Sequence, residues 1–430
     1  MRLRVRTVAL DDDRPLLSLL PRADDGTGPA DAVAWVRTSA RAGDAPADEG
    51  LVGWGTAARL SPGAGPHRFA AAEAALRALD VDERDEVSDF GTGLVGFGTF
   101  AFTDAGEGSL LVVPRVVIGR RDGVTWRTTV EVVDRVLPAL PGLPAAGAAL
   151  ADPARDRARF AGSSQPDVHW LEAVARAVER LRAGEAAKVV LARDHAVWSE
   201  QPFDAGDLAR RLAARFPRCH TFVVDGFVGA TPELLLARRG RAVFSRVLAG
   251  TTGRSDDEAQ DAALGAALLA SAKDLEEHRF AAESVRDVLA PRCADLVHDD
   301  TPRLLRLDNV QHLATAFEGT LGADRSALEV VAALHPTAAV GGTPRGRAVA
   351  MIAELEGMDR ARYAAPVGWT DRDGDGEWGI ALRCAELNGA RARLFAGVGI
   401  VTASLPEAEL EETRLKLLAM QAALGEDPAR

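Results

Sequence analysis

Residues 186–198 read AAKVVLARDHAVW. Val189 to Ala192 form a short apolar run, which predicts a buried β-strand. Lys188 stands at the mouth of that strand, where an ammonium is costly to desolvate. The flanking segments set the fold. Upstream, DVHWLEAVARAVERLRAGE puts Trp170, Val174, Val178 and Leu181 on one helical face. Downstream, DAGDLARRLAARF predicts a helix, the strand TFVVDGFVGA leads into TPELLLARRG, and SAKDLEEHRFAAESVRDVLA (271–290) predicts a long helix. Hairpin-like strands fill 364–401. PEAELEETRLKLLAMQAAL (406–424) predicts the closing helix, with Pro406 in its first turn.

Residues 1–135 are β-rich and punctuated by glycine: LVGWGTAARL (51–60), GTGLVGFGTFAF (91–102) and SLLVVPRVVIGRRDGVTWRTTVEVV (109–133), with RRDGV as a hairpin turn. FAAAEAALRALDV (69–81) predicts a helix. A Pro/Ala-rich stretch at 137–166 is either a linker or a surface connection. The mixture implies an α+β fold of large antiparallel sheets with helices packed outside.

The chain has 430 residues, 47% hydrophobic and 27% charged, an ordinary globular composition with ample core. Its formal net charge of −12 argues against a nucleic-acid or anionic-membrane footprint. Cys219, Cys293 and Cys384 are far apart, form no CxxC, and fit a reducing cytoplasm. MRLRVRTVAL lacks the apolar core of a signal peptide, and no run reaches bilayer-spanning length.

Several motifs carry two readings. DRDGDGEW (371–378) starts like a calcium loop, but Leu382 stands where the twelfth-position carboxylate belongs, so a polar hairpin turn is expected. GGTPRGR (341–347) lacks the Lys-Ser/Thr ending of a nucleotide phosphate loop. AGVGIV (396–401) does not fit the dinucleotide fingerprint. His312 and His335 are lone histidines. Glu276, Glu277, Glu411 and Glu412 lie on two helices, with Lys416 one turn after Glu412. They are either a solvated face with an ion pair or two carboxylates offered to one hard cation.

Taken in order, AKVVLAR, GATPELLLAR, LAGTTGR, SAKDLEEH, VQHLATAFEGTL, LHPTAAVGGTP, YAAPVGW, GEWGIALRCAEL, LFAGVGIV and EETRLKLLAM resemble the chorismate-utilising enzymes over 185–420. That family includes isochorismate, salicylate, anthranilate and aminodeoxychorismate synthases. LVGWG, GFGTFAF and VVPRVVIGRRDG resemble menaquinone-type isochorismate synthases of actinobacteria. The resemblance implies a single α/β sandwich of two antiparallel sheets with helices outside. Residues 1–136 would be its β-rich N-terminal part, 137–166 a connection and 167–430 the chorismate-binding part.

The resemblance also implies a reaction. Water adds at C2 of chorismate and the C4 hydroxyl leaves. Lys188 matches the general base, whose burial disfavours its charged form. Glu233, set before Leu234-Leu235-Leu236, matches the general acid, with a pKa raised by desolvation. Glu277 and Glu412 match the Mg2+ ligands. Tyr363, Arg383, the backbone at Gly397 and Gly399, and Lys416 match the groups that hold the enolpyruvyl carboxylate. Gly250, Thr251 and His312 line the ring region. Ala339 stands where salicylate and anthranilate types carry threonine, and Ala338 departs from the usual proline. The expected activity is isochorismate synthase, for menaquinone or for a siderophore, with salicylate synthase as the alternative. The expected setting is cytoplasmic, as a monomer or weak dimer without an amidotransferase partner. A calcium- or nucleotide-binding protein is the reading from a different class.

Overall fold

A computed structural model describes residues 1–21, 31–39, 47–135, 137–139, 142–143, 158–307 and 310–425. The first part comprises β1 (Arg2–Ala9), β2 (Val33–Ser39), β3 (Ala47–Leu60), α1 (Arg68–Arg77), β4 (Asp80–Asp85), β5 (Val95–Thr99), β6 (Leu110–Arg121) and β7 (Val124–Val132). The middle comprises β8 (Arg159–Gly162), α2 (Asp167–Arg182), β9 (Lys188–Trp198), α3 (Ala205–Arg215), β10 (His220–Val224), β11 (Phe227–Thr231), β12 (Leu234–Arg239), β13 (Ala242–Gly253), α4 (Glu258–Ala270) and α5 (Ala272–Leu289). The last part comprises β14 (Cys293–His298), β15 (Arg303–Arg306), β16 (Val310–Leu321), α6 (Ala327–Leu334), β17 (Gly342–Thr343), α7 (Arg345–Leu355), β18 (Pro366–Asp371), β19 (Gly376–Ile380), β20 (Cys384–Asn388), β21 (Arg391–Ile400) and α8 (Pro406–Ala423).

The strands hydrogen-bond in one path that divides at β6. One arm runs from β6 through β3, β2, β10, β11, β20 and β21 to β9. The other runs from the start of β6 through β5, β18, β19, β12 and β13 to β16. Both arms are antiparallel throughout; the β1–β4 pairing at the far edge is parallel. The arms face each other. Trp35 of β2 donates its indole N–H to Glu377 of β19 at 2.9 Å across the gap. Phe97, Phe222, Phe227, Phe317, Trp369 and Trp378 fill the space between the layers. The two expected sheets are therefore present as faces of one hydrogen-bonded system that shares β6.

Local chemistry explains the elements. Asp122 and Gly123, with φ of 49° and 83°, make the left-handed two-residue turn that a β6–β7 hairpin favours. Asp204, Asp257, Ser271 and Ser326 cap α3, α4, α5 and α6 by accepting from the third-residue amide. In α2, Trp170, Val174, Val178 and Leu181 are all buried, each contributing roughly 1.5–3 kcal/mol. The helix expected over 69–81 stops at Arg77, because Asp80 and Val81 pair with Arg2 and Leu3 of β1. Sheet pairing there outweighs local helix propensity.

Residues on either side of the Pro/Ala-rich stretch share sheets, through β2–β10 and β5–β18. Of that stretch, 140–141 and 144–157 lie outside the described residues, while Arg159–Gly162 forms β8 on the edge of β9. DRDGDGEW is the β18–β19 hairpin. Its Asp371 accepts the Asp375 amide at 2.9 Å, and the Asp375 carboxylate pairs with Arg238. GGTPRGR is not a loop around an anion either: Gly342 and Thr343 pair with Val189 and Lys188. No helix among the described residues is long and apolar enough to cross a membrane.

Candidate active site

A cleft of about 350 Å³ opens where the C-terminal half of β21, β13, β16, α5 and α8 converge. Roughly 300–1,000 Å³ is usual for a small-molecule site. Twelve of the thirteen residues singled out from the sequence line it: Glu233, Gly250, Thr251, Glu277, His312, Ala339, Tyr363, Arg383, Gly397, Gly399, Glu412 and Lys416. Lys188 is the thirteenth, and it lies behind the wall.

The sequence placed Lys188 at the mouth of a strand. The side chain is 0% exposed, and its Nζ lies 3.0 Å from Oε1 of Glu277 with no further hydrogen-bond partner among the described residues. β9 pairs with β21 on one edge and β17 on the other, which fixes the strand that carries the lysine. Gly399 faces this pair. A Cβ there would meet Glu277 Oε1 at 2.3 Å and Lys188 Cε at 2.8 Å. The sequence explained Gly399 by close amide approach to a ligand; the crowding shown is with the protein's own carboxylate and lysine.

Glu277 is held below the usual carboxylate range. Burial alone would raise it, but the charge of Lys188, and beyond it Lys416 and Lys273, outweigh burial. Glu233 behaves oppositely. It sits between β11 and β12, is 3% exposed, and burial pushes its carboxyl up to about 8 against weaker opposing effects from Leu248, Lys188 and Arg246.

α5 and α8 each bring one carboxylate to the cleft, Glu277 and Glu412. The helices are tied one turn away: Lys273 Nζ donates to the buried Glu409 Oε1 at 3.0 Å. Lys273 lies four residues before Glu277 and Glu409 three before Glu412, so tie and site share helix faces. Lys416 donates to Gly397 O at 2.9 Å and pairs with Glu412 at 2.8 Å. Carboxylate oxygens from two helices are the donors a hard divalent cation takes, with its remaining positions left to water or substrate. Among the described residues, the buried Nζ of Lys188 behind them is paired with Glu277 alone.

One wall of the cleft is a hydrogen-bonded row. A bulge at Gly250, with φ of 74°, shifts the β13–β16 register and turns Thr251 towards His312. Thr251 Oγ1 is 3.0 Å from His312 Nδ1, and Arg383 Nη2 is 3.1 Å from His312 Nε2. Arginine only donates, so Nε2 accepts and the ring proton sits on Nδ1. Burial, then the Arg383 charge, keep this imidazole neutral, well below its usual pKa. Arg383 itself takes φ of 46°, a left-handed conformation costly for a side-chain-bearing residue. Tyr363 stacks on Phe395 at 5.2 Å with its ring nearly parallel, and burial keeps its hydroxyl un-ionised.

Sequence reasoning missed Lys273 and Glu409, and the cleft residues Arg215, Val340, Phe395, Leu415 and Leu418. Leu415 and Leu418 were legible as part of the last helix, yet they are 59% and 37% exposed at the cleft. Arg215 ends α3 and reads as an ordinary solvated helix terminus.

The family model described as chorismate binding enzyme matches residues 42–425. The isochorismate synthase MenF of Bacillus subtilis is 36% identical over 331 residues, 75% of this chain and 68% of that protein. The isochorismate synthase EntC of Escherichia coli K12 is 41% identical over 257 residues, 59% of this chain and 66% of that protein. Among solved structures, the menaquinone-specific isochorismate synthase MenF of Escherichia coli superposes with a TM-score of 0.77 at 26% identity, covering 99% of this chain and 95% of that one. The fold, the cleft and these matches together place this chain in the chorismate binding enzyme family.

Proposed function

We propose that this protein is an isochorismate synthase that converts chorismate to isochorismate, in the cytoplasm and for menaquinone synthesis, without an amidotransferase partner. The observation that carries the reading is the pairing of opposites in one cleft. Glu233 keeps its proton up to about pH 8, while Glu277, beside Lys188, is ionised. An acid that is protonated at neutral pH is what expulsion of a hydroxyl requires.

In this mechanism Lys188, paired with Glu277 as the ammonium at rest, first gives up its own proton and then, as the free amine, accepts one from the water that adds at C2. The ring double bonds shift, and the C4 hydroxyl takes the proton of Glu233 and leaves as water. Arg383 and Lys416 supply positive charge for the enolpyruvyl carboxylate, and Tyr363 adds a neutral hydroxyl. The neutral His312 holds Arg383 through Nε2. Glu277 and Glu412 would hold Mg2+, which when bound neutralises the ring carboxylate. The small Ala339 side chain leaves room for isochorismate to depart before pyruvate is lost. The menaquinone assignment is supported by the likeness to the two MenF proteins. The cytoplasmic setting is supported by three free thiols.

The test is incubation of purified protein with chorismate and magnesium, with and without ammonia, and chromatography of the products. Isochorismate alone, abolished by a chelator, is expected. Salicylate with pyruvate would overturn the argument from Ala339. An aminated product only with ammonia would move the protein to the anthranilate branch.

A further inference from the structure

Among the described residues, the edge of β9 facing away from β21 has strand partners only at its ends. β17 covers residues 188–189 and β8 covers 196–198. Between them, unpaired backbone groups inside the protein would each be costly. Two side chains just after α7 fill part of the gap. Glu356 Oε1 accepts the Ala192 amide at 2.8 Å, and Arg360 Nη2 donates to Val190 O at 2.8 Å. Arg360 Nη1 donates to Val340 O at 2.9 Å, and Nε to Glu356 Oε2 at 2.9 Å. Both side chains are 2% exposed, and the guanidinium lies 4.2 Å from the ring centre of Phe102.

The acceptors of this fork belong to the cleft. Val190 lies two residues beyond Lys188, and Val340 follows Ala339; both line the cavity. The Arg360 carbonyl also accepts the Tyr363 amide at 2.9 Å. One buried ion pair therefore reaches the strand of the base, the turn of Ala339 and the turn of Tyr363.

We propose that Glu356 and Arg360 are positioning residues, a buried clip that fixes β9 against the 337–341 turn and so sets the separation of two cleft walls. Stabilisation alone does not explain the choice of groups. A buried ion pair is on average no more stabilising than apolar residues of the same volume. A planar guanidinium, by contrast, offers donors in fixed directions to a carboxylate and two carbonyls at once. Lysine in its place would keep the charge and lose the fork. Displacements of about 1 Å at a reacting centre cost on the order of 100-fold in rate.

The test compares Arg360→Lys with Arg120→Lys. Arg120 is also a buried, forked arginine, it does not line the cleft, and it pairs with Asp48 at 2.7 Å. The kinetic half rests on the proposed activity; hydrogen exchange does not. Arg360→Lys is expected to remain folded and to lose at least 10-fold in kcat with chorismate KM within about threefold. Glu356→Gln, which keeps the acceptor for Ala192, should fall between it and the parent. Amide exchange should accelerate together in peptides covering 188–194 and 337–343. Arg120→Lys should show neither change. Unaltered exchange in both segments of Arg360→Lys would overturn the clip, whether or not chorismate is the substrate. So would exchange that accelerates with kcat unchanged in an active parent. A parent inactive on chorismate would sink the activity, and exchange alone would then decide the clip.

Discussion

Glu233→Gln should stabilise the protein and disable it. The carboxyl rises from the usual 4.5 to about 8 because it is desolvated. At ~1.4 kcal/mol per decade of proton affinity, that displacement corresponds to about 5 kcal/mol. The direction follows from linkage. Well below pH 4.5 both folded and unfolded chains carry the proton, and the group is neutral in each. As pH rises from there to about 8, the unfolded chain has released the proton and the folded chain has not, so folding loses ~1.4 kcal/mol per pH unit. Glutamine is neutral throughout and escapes that loss. Urea unfolding of parent and variant, followed by tryptophan fluorescence, should therefore diverge in the variant's favour by about 3 kcal/mol between roughly pH 5.5 and 8.5. Over the same range the variant should lose about 10²- to 10⁴-fold in kcat, the usual contribution of a general acid. The parent's kcat should decline as pH passes about 8. A stability difference that does not change with pH would refute the buried, protonated carboxyl. Turnover within about threefold of the parent would refute its role as acid.

Lys188→Met should lower kcat by about 10²-fold or more and leave Glu277 without its 3.0 Å counter-ion; near-normal turnover in a folded variant would remove the base assignment. Gly399→Ala must push Glu277 aside, because the new Cβ would lie 2.3 Å from its Oε1. The magnesium needed for half-maximal activity should rise about 10- to 100-fold, and an unchanged magnesium titration would count against Glu277 as a ligand. Arg215→Ala should reduce kcat/KM for a dianionic substrate a few-fold at low ionic strength, and the difference should vanish above roughly 0.5 M salt; a fall in kcat at all salt concentrations would mean that the side chain acts in the reaction rather than in capture.

Much of this was legible because it is written in local pattern. The helical period of α2, the cap Ser271 before α5, Asp-Gly between β6 and β7 and Pro406 opening α8 each express short-range chemistry. What escaped was long-range. Asp80 and Val81 became strand because β1 lies beside them. The sharing of β6 by both arms depends on strands far apart in sequence. At the site, residue types and order pointed to the cleft, but the depth of Lys188 did not follow from its strand-end position. It follows from Gly399 on β21, two hundred residues away, which makes room for the lysine and for Glu277. Lys273 and Glu409 were invisible for the same reason: each alone is one more charge on a helix.

The division of labour among the carboxyls follows from where the lysines are. Glu277 has Lys188 at 3.0 Å and lies below the usual carboxylate range, whereas burial raises Glu409 in spite of Lys273 at 3.0 Å. Glu233 has no lysine so close; Lys188 and Arg246 act on it only as weaker, more distant charges. Burial without a close counter-ion keeps Glu233 neutral, and at Glu277 the charge of Lys188, with Lys416 and Lys273, outweighs burial. The cleft therefore has a protonated carboxyl, Glu233, on the β11–β12 side and an ionised one, Glu277, on the α5 side. In the proposed mechanism, a substrate lying between them meets a proton where a hydroxyl leaves and negative charge where a cation would be held. Exchanging the two environments, by placing a lysine against Glu233 or removing one from Glu277, would erase that polarity while leaving every strand in place.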